Sequence, residues 1–366
     1  MKYILVITFI LICSCADSNE SDMPDNIKNQ IIQHDLLFDD LSILNNLEEP
    51  ISIFRIKFID SNKIFLIDNE EWNLFLINKE GIIIDKTGGQ GRGPGNFIVI
   101  NNIRYYKDKN LIQLFDKAQQ RITYYSTDDN KLELLEIVNL PNFGHDIFLQ
   151  DFYEYDGNKI AVYEKHRIDI HKEANEIIIA QLNENMEIET ELLSFIGDEL
   201  LQSTDGSLTK NPIGNTTFWD FNENLFYITN SFDNRILEYD LTTNTSNDIF
   251  VKSINQVDNN PNVMRFFNTN FEDTFIGNYT LRKHLEERNS VPQFFRFEVE
   301  NNSIYYSIFN YKNNSQEIII FDINSEEIEI LQIDAINFFM QDIYNEKIIG
   351  TILNSEGDNK IIEYIR

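Results

Sequence analysis

Cysteine is nearly absent. The chain has two, Cys13 and Cys15, and none in the 351 residues that follow. That absence excludes disulfides, thiolate metal sites and cysteine nucleophiles from everything downstream. A domain of this size must then hold itself together by burying its core, and 42% apolar content is enough to do so. Positive charge is also scarce: 30 Lys and Arg stand against 60 Asp and Glu, a formal net charge of −30. So acidic a surface repels nucleic acid and anionic lipid headgroups, and no nucleic-acid partner is expected. Solubility alone accounts for such a balance; cation binding or steering of a basic partner are the alternatives.

Catalytic signatures are missing as well. There is no Gly-x-Ser-x-Gly nucleophile elbow. The five histidines include one close pair, His166 and His171, which lacks the His-Glu-x-x-His spacing of a zinc protease helix. A solvated hairpin or a loose metal site are the two readings of it. Long stretches of helical periodicity are lacking too; the best helical candidate is Phe271 to Arg288.

One apolar run stands out, at the start. Lys2 precedes about a dozen apolar residues, well short of the roughly 20 that span a bilayer. A positive charge, a short apolar run and a small residue before Cys15 have the layout of a secretory signal peptide. Ile12-Cys13-Ser14-Cys15 resembles a bacterial lipobox, which implies cleavage after residue 14 and a lipid on Cys15. Cys13 is the poorer candidate because bulky Ile12 precedes it. An ordinary cleaved signal and an uncleaved anchor are the other readings. The polar, acidic stretch that follows is expected to be a disordered tether over 15–34.

From residue 35 to 366 the chain reads as strand: short runs of Ile, Phe, Tyr and Leu broken by Asn, Asp, Gly and Lys. Two units are clear. The first runs Ile53 to Phe58, Ile64 to Ile67, Leu74 to Ile77 and Ile82 to Asp85, with Asn78-Lys79-Glu80-Gly81 as its last hairpin. The second runs Ile103 to Tyr106, Leu111 to Phe115, Arg121 to Tyr125 and Leu132 to Val138. Further second strands begin at Lys159, Leu225, Ile304 and Ile348. Six units of about 50 residues predict an all-β, six-bladed β-propeller of four-stranded antiparallel blades. Insertions near 196–215 and 253–290 stretch two spacings, and either could cover a face, meet a partner or pack on the chain itself. The sixth unit shows three strands only. Residues 35–44 are therefore expected to supply its fourth and close the ring.

The segment Gly88-Gly89-Gln90-Gly91-Arg92-Gly93-Pro94-Gly95-Asn96-Phe97 leads into a strand, whereas a phosphate loop leads through Gly-Lys-Ser/Thr into a helix. It reads as a turn between an outer strand and the next inner one, where glycine permits positive φ. With Lys63 to Asp68 and Leu74 to Gly81 before it, this stretch resembles an NHL-type repeat. More closely, it is similar to the six-bladed β-propeller lipoproteins of Bacteroidota. That resemblance implies a lipid-anchored place in the cell envelope, at the outer membrane and facing periplasm or surface, and implies no particular activity.

The candidate site is the axial channel. Arg55, Arg104 and Arg296 lie in first strands, which line the axis of a propeller; Trp219, Asp220, His145 and Asp146 fall at similar stages of other units. Converging cations in so acidic a protein would make a local anion site. The competing reading pairs them with acidic neighbours between blades, and strand register decides between the two. The expected function is a membrane-anchored binding module for a protein, an anionic ligand or a sugar, with no cofactor. The alternatives are a metal-assisted hydrolase or lyase with an axial Ca²⁺ or Mg²⁺ held by carboxylates, and a structural component of an envelope complex.

Overall fold

The computed structural model describes residues 39–41 and 51–365, apart from 142–146, 166–173, 203–207, 212, 252–256, 259–260, 271–285, 287, 293, 334–337, 346 and 354–358. The leader, Cys15, the tether, the His166–His171 pair and nearly all of the helical candidate over 271–288 lie outside the described residues.

A short strand, β1 (Asp39–Leu41), opens the fold. Blade one is the meander β2 (Ile53–Phe58), β3 (Lys63–Asp68), β4 (Asn73–Asn78) and β5 (Ile83–Gly88). Blade two is β6 (Ile100–Tyr106), β7 (Leu111–Asp116), β8 (Arg121–Ser126) and β9 (Glu133–Asn139). Blade three contains β10 (Ile147–Tyr155), β11 (Asn158–Lys165), β12 (Ala174–Leu182) and the long β13 (Ile188–Gln202), whose far end pairs with β14 (Leu208–Lys210). Blade four is β15 (Thr217–Asn222), β16 (Leu225–Asn230), β17 (Arg235–Asp240) and β18 (Thr245–Phe250). A pair of two-residue strands, β19 (Val257–Asp258) and β20 (Ser290–Val291), then flanks the helix α1 (Pro261–Asn270). Blade five is β21 (Phe294–Glu300), β22 (Ser303–Asn310), β23 (Ser315–Asp322) and β24 (Ile328–Ile333). Blade six is β25 (Phe338–Tyr344), β26 (Lys347–Leu353) and β27 (Asn359–Ile365), completed by β1.

The protein is thus a six-bladed β-propeller, closed as expected by its N-terminal strand. Asp39 pairs with Glu363 and Leu41 with Ile361, both antiparallel. Closure of this kind removes the sheet edge that β27 would otherwise present.

The core is a ring of six apolar layers, each between two neighbouring blades. Adjacent residues of one strand feed different layers. Tyr305 packs toward blade six and Tyr306 toward blade four. Side chains alternate faces along a strand, and here both faces are buried. That is why second strands such as Ile64-Phe65-Leu66-Ile67, all 0% exposed, are unbroken apolar runs.

The glycine-rich segment links blade one to blade two. Gly88, Gly89, Gly91 and Gly95 all have positive φ. Gly91 N–H donates to Phe97 O (2.9 Å) and Phe97 N–H to Gly89 O (2.8 Å), folding the segment on itself. At Gly88 a Cβ would meet the Trp72 carbonyl oxygen at 2.9 Å, so glycine is required there for space as well as conformation. No helix follows, and the segment is a structural link.

The first insertion is a hairpin: β13 outruns its partner β12 and turns back through β14. The second carries α1, whose Val263 is fully buried and whose Arg265 donates to Lys312 O (3.4 Å). The two insertions meet. Arg288 Nη1 reaches Glu199 Oε1 and Oε2 at 2.6 and 2.9 Å, and Asn211 Nδ2 reaches Glu199 Oε1 at 2.6 Å. The Arg288 and Asn211 hydrogen bonds outweigh burial and hold the Glu199 carboxyl below its usual range. A four-stranded meander ends at the face where it began. Both insertions and the glycine link therefore emerge where the first strands start.

Candidate functional site

First strands from all six blades enclose an axial cavity of about 1310 Å³. Which residues face it is set by an irregularity. In β2, β6, β10, β21 and β25 the register slips near the strand start, so that Arg55, Asn102, Asp151, Arg296 and Asp342 each follow an unpaired position. Such a bulge re-aims the side chain after it, and all five line the cavity. In β15 the pairing is unbroken from Thr217 to Asn222.

Arg104 is clamped. It is ion-paired with Asp151 of blade three, and Asp220 of blade four lies 3.6 Å from it. Its guanidinium stands 4.7 Å over the Phe221 ring and 5.2 Å from that of Tyr153, two rings themselves stacked at 4.3 Å. Trp219 Nε1 donates to the same Asp151 carboxylate (3.1 Å). Burial works to lower the Arg104 pKa, but Asp151 and Asp220 outweigh it and hold the group above its usual range. Lys57 is matched in the same way by Asp342 at 2.5 Å, while Phe58 N–H donates to the second oxygen of that carboxylate (2.7 Å). Arg296 pairs with Glu298 of its own strand.

Arg55 is not matched. Among the described residues it makes no ion pair; its Nη1 donates to the Phe54 carbonyl (3.2 Å) and its guanidinium lies 4.5 Å from the Phe54 ring. Burial, followed by repulsion from Arg296, lowers its pKa to about 10, with Glu298 opposing. Three carboxyl groups are shifted in the opposite sense, Asp342 among them, which burial raises although Lys57 opposes it. Burial and the Glu298 charge raise Asp220 to about 6, and burial with Asp342 raises Glu300 to about 7.

The channel thus gathers five of the residues expected there: Arg55, Arg104, Trp219, Asp220 and Arg296. His145 and Asp146 lie outside the described residues. Pairing between blades holds for Arg104. It does not hold for Arg296, which pairs within β21, or for Arg55. Sequence reasoning missed Lys57, Glu298 and Glu300, although each lies two or four residues beyond a proposed arginine and so on its face of the strand. Asp151 and Asp342 carried no such signal, because only the bulges turn them inward. Lys210, on the β14 hairpin, also reaches the cavity and is ion-paired with Asp198.

Among the described residues no three His, Asp or Glu side chains form a group that could hold a metal ion, and no helix is long and apolar enough to cross a membrane.

Comparison with known proteins agrees with this architecture. Residues 47–206 match the family DUF5128, described as a 6-bladed beta-propeller. The fold is that of the six-bladed propellers. A crystal structure of a Bacteroides fragilis protein superposes with a TM-score of 0.54 at 16% identity, covering 87% of this chain and 91% of its own. A DUF4221 family member from Bacteroides vulgatus gives a TM-score of 0.49 at 9% identity over 87% of this chain and 93% of its own. No curated protein matches the sequence.

Proposed function

We propose that the protein is a binding module of the cell envelope, lipid-anchored through Cys15, that receives the anionic group of a small ligand in its axial channel with Arg55 as the recognition group. One observation carries the reading: a half-buried guanidinium that lines a large cavity and makes no ion pair among the described residues. Desolvating a charge is costly unless it is paired. The other cations of the inner channel, Lys57, Arg104 and Arg296, have carboxylate partners, so an entering carboxylate, phosphate or sulfate supplies what Arg55 lacks. Guanidinium geometry suits such bidentate anions.

The test is thermal unfolding of the purified protein with acetate, phosphate and sulfate. A ligand at about 100 times its dissociation constant adds roughly 2.7 kcal/mol to the native state. The expected result is a saturable rise in midpoint that Arg55→Gln removes; a rise that survives in Arg55→Gln refutes the site. For the anchor, a palmitate label incorporated in cells is expected on the native chain and absent from Cys15→Ala.

A further inference from the structure

The channel holds, at two different depths, two half-buried charges of opposite sign that make no ion pair among the described residues. Arg55 is one. Glu300 is the other: among the described residues it makes no ion pair, and it lines the same cavity. Their placement follows from the strands. Arg55 and Arg296 occupy the same stage of β2 and β21, each following the bulge, and are close enough to repel each other. Glu300 ends β21. From Arg296 to Glu300 is four residues on one face, an axial rise of about 13 Å at roughly 3.3 Å per residue. The groups around Glu300 do not neutralise it: Asp342 of β25 and Asp220 of β15 repel its charge, while Lys57 of β2 and Lys107 offset this only in part. Lys57 is already engaged by Asp342.

We infer that the channel takes a zwitterion, its anionic end at Arg55 and an ammonium end at Glu300, with the two charges on the order of 10 Å apart. A short peptide or a long ω-amino acid belongs to this class. The inference rests on the reading of Arg55 as an anion site and adds the second charge and the spacing. A simple anion satisfies one end of the channel and leaves Glu300 at the other, half-buried and repelled by Asp342 and Asp220. A zwitterion of this length satisfies both and adds no net charge to an acidic cavity.

Isothermal titration of the intact protein with 8-aminooctanoate, octanoate and 8-acetamidooctanoate at pH 8 tests it. The three share a carboxylate and an alkyl chain and differ at the far end. The expected result is that 8-aminooctanoate binds at least tenfold more tightly than either of the others. Glu300→Gln should erase that advantage without weakening octanoate, and Arg55→Gln should weaken all three. The 4-aminobutanoate homologue, too short to reach both ends, should gain nothing over butanoate. If octanoate binds as tightly as 8-aminooctanoate, the zwitterion is refuted while the anion site stands. If Arg55→Gln changes none of the affinities, both fall. The acetamido ligand removes the ammonium without altering the protein, so the outcome does not depend on how Glu300→Gln folds.

Discussion

Arg104 and Arg55 start from the same circumstances. Each is an arginine on a first strand, and each points into the axial channel of an acidic protein. Their surroundings differ. Blades two to four surround Arg104 with Asp151, Asp220 and the stacked rings of Tyr153 and Phe221. Blades five, six and one set Arg55 beside another arginine and pass the nearby carboxylates, Glu298 and Asp342, to Arg296 and Lys57. The first half of the channel is closed by its own interactions, and the second keeps charges in reserve. A half-buried guanidinium on a first strand therefore takes its character from the partners around it, and the channel holds one that is ion-paired and one that is not among the described residues.

The largest expected effect breaks the clamped side. Arg104→Met should leave Asp151, only 1% exposed, without its counter-charge and destabilise the fold by about 3 kcal/mol or more, whereas Arg55→Met should change stability by less than about 0.5 kcal/mol or raise it. Urea unfolding of both variants checks this, and equal losses would remove the distinction between the two arginines.

Next in size is a pH dependence. Asp220 and Glu300 have folded pKa values raised to about 6 and about 7, above their ordinary values. The native state therefore holds protons that the unfolded chain has released. Stability from these groups is fully present below about pH 4 and is lost as pH rises through 6 and 7. The urea midpoint should fall across that window, and Glu300→Gln should flatten the upper part of the fall. A midpoint that rises from pH 5 to 7 equally in both proteins would contradict the assignment.

The smallest effect concerns the face above the channel. Arg288→Ala breaks the half-buried pair with Glu199 that joins the two insertions, and should cost about 0.5–1 kcal/mol, less at high salt. Hydrogen exchange at the amides of β13 and β14 should quicken while that of the inner strands is unchanged.

Much of the fold was legible in the residues. The second strands are continuous apolar runs because both their faces are buried, so they stood out against polar turns, and all six were placed correctly. The glycine segment was readable because positive φ and close approach both demand glycine. The closing strand followed from an unpaired sixth unit. The channel was legible only in part. Arg55, Arg104 and Arg296 could be placed on first strands, but the carboxylates that decide their fates come from other blades. Asp151 lies 47 residues from Arg104, and Asp342 lies 285 from Lys57.

The sequence by itself therefore determined the number of blades, their strand pattern and the manner of closure, because these rest on local periodicity and turn chemistry. The tertiary structure alone decided which charges are matched. That depends on bulges, which shift a side chain from one face to the other within a single residue, and on the meeting at the axis of six strands far apart in the chain. Local pattern carries no record of either, and it is there that Arg104 gains its ion pairs and Arg55 is left with none among the described residues.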